Sequence, residues 1–149
     1  MLQQPPGDQE PGASPPEPAH LIAGVTAASR AEHWAVDIRA GHHAVVADEP
    51  PGGGGEDAGP SPFGLLLSGL AACTVITLRM YADRKGWPLE GVDARLTYVT
   101  RSSGGHVDRH LSFIGALDDE QRDRLADIAE RTPVTLVVKQ GVSITTTVA

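Results

Sequence analysis

Hydrophobic and polar positions along this chain repeat with two different periods, and the changes of period mark its elements. Leu21 to Thr26 reads as a first strand, followed by a small-residue turn near Ala28-Ser29-Arg30. Trp34, Val36 and Ile38 then alternate with Ala35, Asp37 and Arg39, the period-two signature of a half-buried strand. Gly41 interrupts it and His43 to Ala47 makes a third short strand, so a three-strand meander is predicted. After a Pro/Gly-rich loop over 48–62, Leu65 to Leu78 is apolar around nearly the whole circumference of a helix, the mark of a buried one. Ser61 and Pro62 supply its cap and first turn, charge enters only at Arg79, Asp83, Arg84 and Lys85, and Gly86 stops it. Pro62 to Lys85 would span roughly 36 Å, long for so small a chain, so sheets or a second subunit must wrap it.

Strand alternation resumes at Val92, Ala94, Leu96, Tyr98 and Thr100, turns at Ser102 to Gly105, and returns over His106 to Leu117. Asp118 caps a second helix whose apolar face is Leu125, Ile128 and Ala129, and Thr132-Pro133 ends it. Val134 to Val138 and Val142 to Val148 read as the last strands, split by Lys139-Gln140-Gly141. Residues 1–19 hold six of the 12 prolines and almost nothing to bury. A disordered tail is therefore expected there, with one globular domain over 20–149.

Composition narrows the function more than the fold. With 149 residues and a net charge of −7, one acidic domain is expected, with no basic surplus to engage nucleic acid or an anionic membrane. Aromatic residues are only 4% of the chain, too few for a base-stacking platform. The single cysteine, Cys73, excludes an intrachain disulfide, a four-cysteine zinc site and an iron–sulfur cluster. The opening residues have neither a basic nor an apolar signal region, and Phe63 to Leu78 runs too quickly into Arg79 for a membrane span, so a cytoplasmic setting is expected.

Cys73 is the only soft nucleophile. Its mid-helix position suits a small buried hydrophobe, and it lies away from the positive end of the helix dipole. Arg79 falls on roughly the opposite helix face, so an activating charge must come from another element. The glycine run at 52–55 lacks the Gly-Lys-Ser/Thr of a phosphate loop and reads as a flexible connector. His42 and His43 point to opposite strand faces, and His106 with His110 has no further ligand beside it, so neither a metal nor a cofactor is expected. Asp118-Asp119-Glu120 fits helix capping, and no serine nucleophile elbow is present.

The stretch GPSPFGLLLSGLAACTVITLRMYADRKGWPLEGV, followed by EQRDRLADIAERTPV and a Gly-Val-x-Ile terminal segment, strongly resembles the OsmC/Ohr family of osmotically inducible and organic-hydroperoxide-resistance proteins. The resemblance covers about residues 21–149. It implies an α+β fold in which antiparallel sheets wrap long central helices in an intertwined homodimer, with the active sites at the subunit interface. It further implies a thiol peroxidase whose attacking cysteine matches Cys73, and whose activating arginine has Arg30 as its nearest candidate. Two departures stand out. The family's second, resolving cysteine lies in a Cys-Pro-Val segment that here reads Thr132-Pro133-Val134, and the glutamate at the start of the central helix is replaced by Phe63 and Gly64. A two-cysteine cycle is therefore impossible, and an oxidised Cys73 would need an external thiol reductant. Three readings follow: a one-cysteine peroxidase acting on organic hydroperoxides, a non-catalytic dimer binding a small apolar ligand at its interface, and a structural stress-associated dimer.

Overall fold

The computed structural model describes residues 17–31 and 33–149. Most of the predicted tail over 1–19 lies outside the described residues. Strands β1 (Val25–Ser29), β2 (Val36–Ala40) and β3 (His43–Ala47) form an antiparallel meander in the order β1-β2-β3. A single-turn 3-10 helix at Pro51–Gly53 precedes the long helix α1 (Pro62–Lys85). Strands β4 (Leu89–Arg101) and β5 (Gly104–Gly115) then form a long antiparallel hairpin, followed by α2 (Asp119–Ala129) and α3 (Pro133–Gln140). This is the expected α+β arrangement of antiparallel sheets and a dominant central helix.

Helix α1 starts and stops where its sequence says it should. The Ser61 hydroxyl accepts the Gly64 amide at 3.2 Å, Pro62 takes the first turn, and Gly86 adopts a left-handed φ of 65° that closes the C-terminus. A capping box starts α2, with Asp118 accepting the Gln121 amide and the Gln121 side chain accepting the Asp118 amide. The core forms where one face of α1 meets β4 and α2. Leu78, Ala82, Leu89, Val92, Leu117, Leu125 and Ala129 are buried together there.

Several expectations need correction. Val134 to Val138 is helical, not a strand. Pro133 presets the first turn of α3, and the Thr135 hydroxyl is bound into the interior, so tertiary contacts override the β propensity of the valines. Val142 to Val148 forms no ladder among the described residues; Ile144 and Val148 are almost fully exposed. The first strand begins at Val25 rather than Leu21, and Arg30 lies beyond it, in the connection to β2. Trp34 precedes β2 and is exposed, with its indole nitrogen turned toward Gly54. His42 sits in the β2–β3 turn with its ring against that of His43, so the two do not occupy opposite faces of a strand. Helix α1 is also long and apolar enough to cross a membrane by length and composition, contrary to the sequence expectation. Within the chain it packs against β4, α2 and α3 and buries the single stripe through Leu70, Thr74, Leu78 and Ala82.

The glycine-rich connector is a built loop. The Asp48 carboxylate, 3% exposed, accepts the amides of Glu49, Glu56 and Ala58, and the Asp48 amide donates to the Pro60 carbonyl. Those amide bonds, led by Ala58 and Glu56, hold the Asp48 carboxyl below its ordinary value against the opposing effect of burial. A depressed folded-state value means that the loop's support is present above about pH 4 and is lost as pH falls through the lower folded value. Amide-exchange protection at Glu56 and Ala58 should therefore disappear on acidification below that point. Asp48→Ala should remove it at neutral pH while leaving α1 protected; unchanged protection in that variant would contradict the loop-anchor role.

Candidate functional site around Cys73 and Arg109

Cys73 lies midway along α1, half-buried, with its sulfur 4.0 Å from the Thr77 hydroxyl. Its helix face can be read from the spacing. Leu70, Thr74, Leu78 and Ala82 form the buried stripe, while Phe63, Leu66, Ile76 and Met80 are exposed apolar residues. Leu66, Cys73 and Met80 are seven residues apart, and Gly69 with Ile76 falls at the intervening positions. Together they form a heptad seam along the outward face of the helix. Cys73 therefore sits on the border between an apolar seam and the chain's own core.

Arg30 is placed elsewhere. Its guanidinium donates to both carboxylate oxygens of Asp37, at 3.2 and 2.8 Å, and the two groups are substantially exposed. The pairing raises the Arg30 value and lowers that of Asp37. Among the described residues, no hydrogen bond joins Arg30 to Cys73 within the chain. The Arg79 guanidinium donates to the Glu90 carbonyl on β4.

A different arginine organises the neighbourhood of Cys73. Arg109 lies on β5 at the same parity as Val107, Leu111 and Phe113, so a guanidinium projects from the inward face of the hairpin. Its side chain is only 11% exposed. It donates to Thr74 Oγ1 at 3.1 Å, Thr135 Oγ1 at 3.0 Å, the Ala129 carbonyl at 2.8 Å and Glu130 Oε1 at 3.0 Å. The hydroxyl protons follow by elimination. Thr74 donates to the Leu70 carbonyl and Thr135 donates to the Ala129 carbonyl, so the buried Thr132 hydroxyl must donate to Thr135, 2.7 Å away. Every member of this network is satisfied, and Arg109 clamps α1, the end of α2 and the start of α3 together. The sequence carries a signal for it, a charged residue at a core-parity position of a strand, which the spacing around Cys73 does not reveal.

Phe63, at the helix start, stacks on Tyr98 of β4 with ring centroids 4.9 Å apart. Tyr98 in turn lies across Gly105 so closely that a Cβ there would sit 2.2 Å from its hydroxyl oxygen, which only glycine permits. Glu130, held by Lys139 first and Arg109 second, has its carboxyl below the ordinary value. Among the described residues no group of three or more His, Cys, Asp or Glu side chains is arranged to hold a metal.

A family model described as OsmC-like protein matches residues 53–147. The chain belongs to the OsmC-like family. Its fold resembles that of an OsmC-like protein from Mycoplasma pneumoniae, with a TM-score of 0.70 and 20% identity, covering 83% of this chain and 91% of that one. It also resembles OsmC from Legionella pneumophila, described as an organic hydroperoxide resistance protein, with a TM-score of 0.61, 22% identity and coverages of 85% and 95%. A third similar structure is the organic hydroperoxide resistance protein OhrB of Bacillus subtilis, with a TM-score of 0.56, 23% identity and coverages of 83% and 94%. No curated protein matches the chain by sequence.

Removing the clamp should be costly. Arg109→Met leaves the Ala129 carbonyl and two threonine hydroxyls with fewer partners, and should lower stability by about 2–3 kcal/mol in urea unfolding. Glu130→Gln, at a half-exposed pair, should cost less than about 1 kcal/mol. Equal costs for the two variants would show that the buried bonds are not the source.

Proposed function

We propose that this OsmC-like protein is a one-cysteine thiol peroxidase acting on organic hydroperoxides through Cys73. The observation that carries this reading is the half-buried thiol of Cys73, the chain's only cysteine, at the family-signature position on the edge of an apolar seam. In the reaction the Cys73 thiolate attacks the terminal oxygen of the hydroperoxide. An S–O bond forms, the O–O bond breaks, the alkoxide leaves and takes a proton, and Cys73 becomes a sulfenic acid. An external thiol then restores the cysteine. A cytoplasmic setting, where small thiols are kept reduced, goes with this reading.

The functional unit in this reading is a homodimer. The exposed seam of Leu66, Gly69, Ile76 and Met80 has the heptad spacing that a second helix fills, and Gly69 allows the backbones to approach closely. The exposed Val142 to Val148 segment keeps the strand alternation that a partner's sheet edge would pair. A second α1 on this seam would place Cys73 at the interface. Arg30 is the proposed activating cation, reaching the sulfur across that interface after exchanging its contact with Asp37. The Phe63–Tyr98 stack puts an apolar wall where the matching family position carries a glutamate. That wall favours a second reading, a dimer that binds a small apolar ligand without turnover.

The two readings separate in one experiment. Stoichiometric cumene hydroperoxide should add one oxygen to the intact protein, reversed by a small dithiol and absent from Cys73→Ser. An unmodified thiol at excess peroxide would leave only the binding reading.

Sedimentation equilibrium should give twice the chain mass, with Ile76→Asp dissociating or unfolding the protein. A wild-type protein at the single-chain mass would overturn the dimer.

A further inference from the structure

The side-chain hydroxyls along α1 are used in two ways. Ser68 donates to the Gly64 carbonyl at 2.7 Å and Thr74 to the Leu70 carbonyl at 2.8 Å, the back-bond that helical serines and threonines ordinarily form. Thr77 differs. Among the described residues its hydroxyl has one hydrogen-bond contact, the Cys73 sulfur at 4.0 Å. We propose that Thr77 is the chain's own hydrogen-bond donor to the Cys73 thiolate, making the sulfur more reactive near neutral pH. The inference deepens the one-cysteine reading above and rests on it for the use of that reactivity in turnover.

Helix geometry accounts for the placement. Cys73 and Thr77 are four residues apart, so their side chains are neighbours on one face. A helical side chain leans toward the N-terminus and covers the turn before its own Cα, so Thr77 lies over Cys73. Both residues are half-buried, one step to the side of the stripe through Leu70, Thr74, Leu78 and Ala82. A hydrogen bond to a charge counts for more in that partly shielded position than in bulk water.

Ionisation fixes the direction of the bond. In the neutral thiol either group can donate. When the thiol proton passes to solvent, the sulfur keeps its electron pair and can only accept, so the hydroxyl must donate. Charge-assisted bonds are shorter and stronger than neutral ones, so the contact closes as the charge appears. Thr74 cannot take this part, because its proton goes to the Leu70 carbonyl and its oxygen accepts from Arg109. The charged groups around α1 are committed elsewhere. Arg79 donates to the Glu90 carbonyl, Lys139 of α3 pairs with Glu130, and Arg124 of α2 donates to Asp127 and the Tyr81 hydroxyl. On β4, Glu90, Asp93 and Arg95 are exposed.

The same bond carries a cost that gives the test its sign. Stabilising the thiolate enlarges its share near neutrality, yet a better-stabilised thiolate attacks more slowly, which cancels about half of the gain on a logarithmic scale. The Thr77 hydroxyl should therefore speed the reactions of Cys73 at pH 7 and slow them at pH 10, where thiols are ordinarily ionised. Loss of packing alone would not reverse sign between the two conditions.

Alkylation of the reduced full chain by iodoacetamide, an uncharged reagent, reads the sulfur directly. In Thr77→Val the ratio of the rate at pH 10 to the rate at pH 7 should rise about tenfold, the step expected for one hydrogen bond to a charged group. Thr77→Ala should match it. Thr77→Ser, which keeps the hydroxyl and loses the methyl, should stay within about twofold of the wild-type ratio. A wild-type ratio in Thr77→Val would overturn the proposal. So would a serine variant that changes with the alanine one, because the effect would then belong to packing. With cumene hydroperoxide at pH 7, Thr77→Val should form the sulfenic acid about threefold more slowly than wild type. A thiol that alkylates as described but resists the peroxide would sink the peroxidase reading alone, since alkylation reads the hydrogen bond without it.

Discussion

Helix α1 imposes the constraint from which the rest of the structure follows. It is 24 residues long and apolar on almost every side, yet one chain buries only the stripe through Leu70, Thr74, Leu78 and Ala82. Burying apolar area contributes about 25 cal/mol per Å², so leaving Phe63, Leu66, Ile76 and Met80 in water forfeits a stabilisation that a folded protein ordinarily takes up. The hairpin β4–β5 covers one side of the helix, and α2 and α3 close over its flank. The three-stranded sheet packs extensively only within itself. The proposed second copy would close this open side, and the thiol stands on the border between the closed side and the open one.

The closed side depends on a buried cation. A guanidinium on the inward face of a strand is expensive unless every donor direction is answered, because desolvation of the charge would otherwise dominate. Arg109 is answered by two threonine hydroxyls, one backbone carbonyl and one carboxylate. This explains why Thr132 is compatible with a position at which the family resemblance would place a thiol. The network needs a hydroxyl that donates strongly to Thr135, and a thiol is a weak donor. Loss of the second cysteine and the presence of the hydroxyl network are thus parts of one local arrangement, and the start of α3 is fixed to α1 by oxygen chemistry.

Much of the frame was legible in the chain. Ser61, Pro62 and Gly86 mark both ends of α1, Asp118 marks the start of α2, and period-two alternation marks the long hairpin. These signals are local, and local geometry satisfies them. The misread C-terminal valines and glycine run are cases in which a distant partner decides. Val134 to Val138 has strand propensity, yet Pro133 and the pull of Arg109 and Ala129 on Thr135 wind it into a helix. Val142 to Val148 has the strand pattern but no ladder partner among the described residues. The glycine run is ordered by the Asp48 carboxylate, which sits before it in sequence and within it in space. Around the thiol, Cys73 was legible, while Arg109 required the parity of β5 to be followed past its apolar residues.

A one-cysteine cycle makes a geometric demand that a two-cysteine cycle avoids. When the second thiol is part of the protein, oxidant and reductant need not approach from solution by separate routes. Without it, the hydroperoxide and the external thiol must both reach one sulfur, in turn, and neither route can be closed by the dimer contact. On the proposed arrangement a second helix fills the seam, so both reactants would reach the half-buried Cys73 from the edge of the buried stripe rather than along the seam.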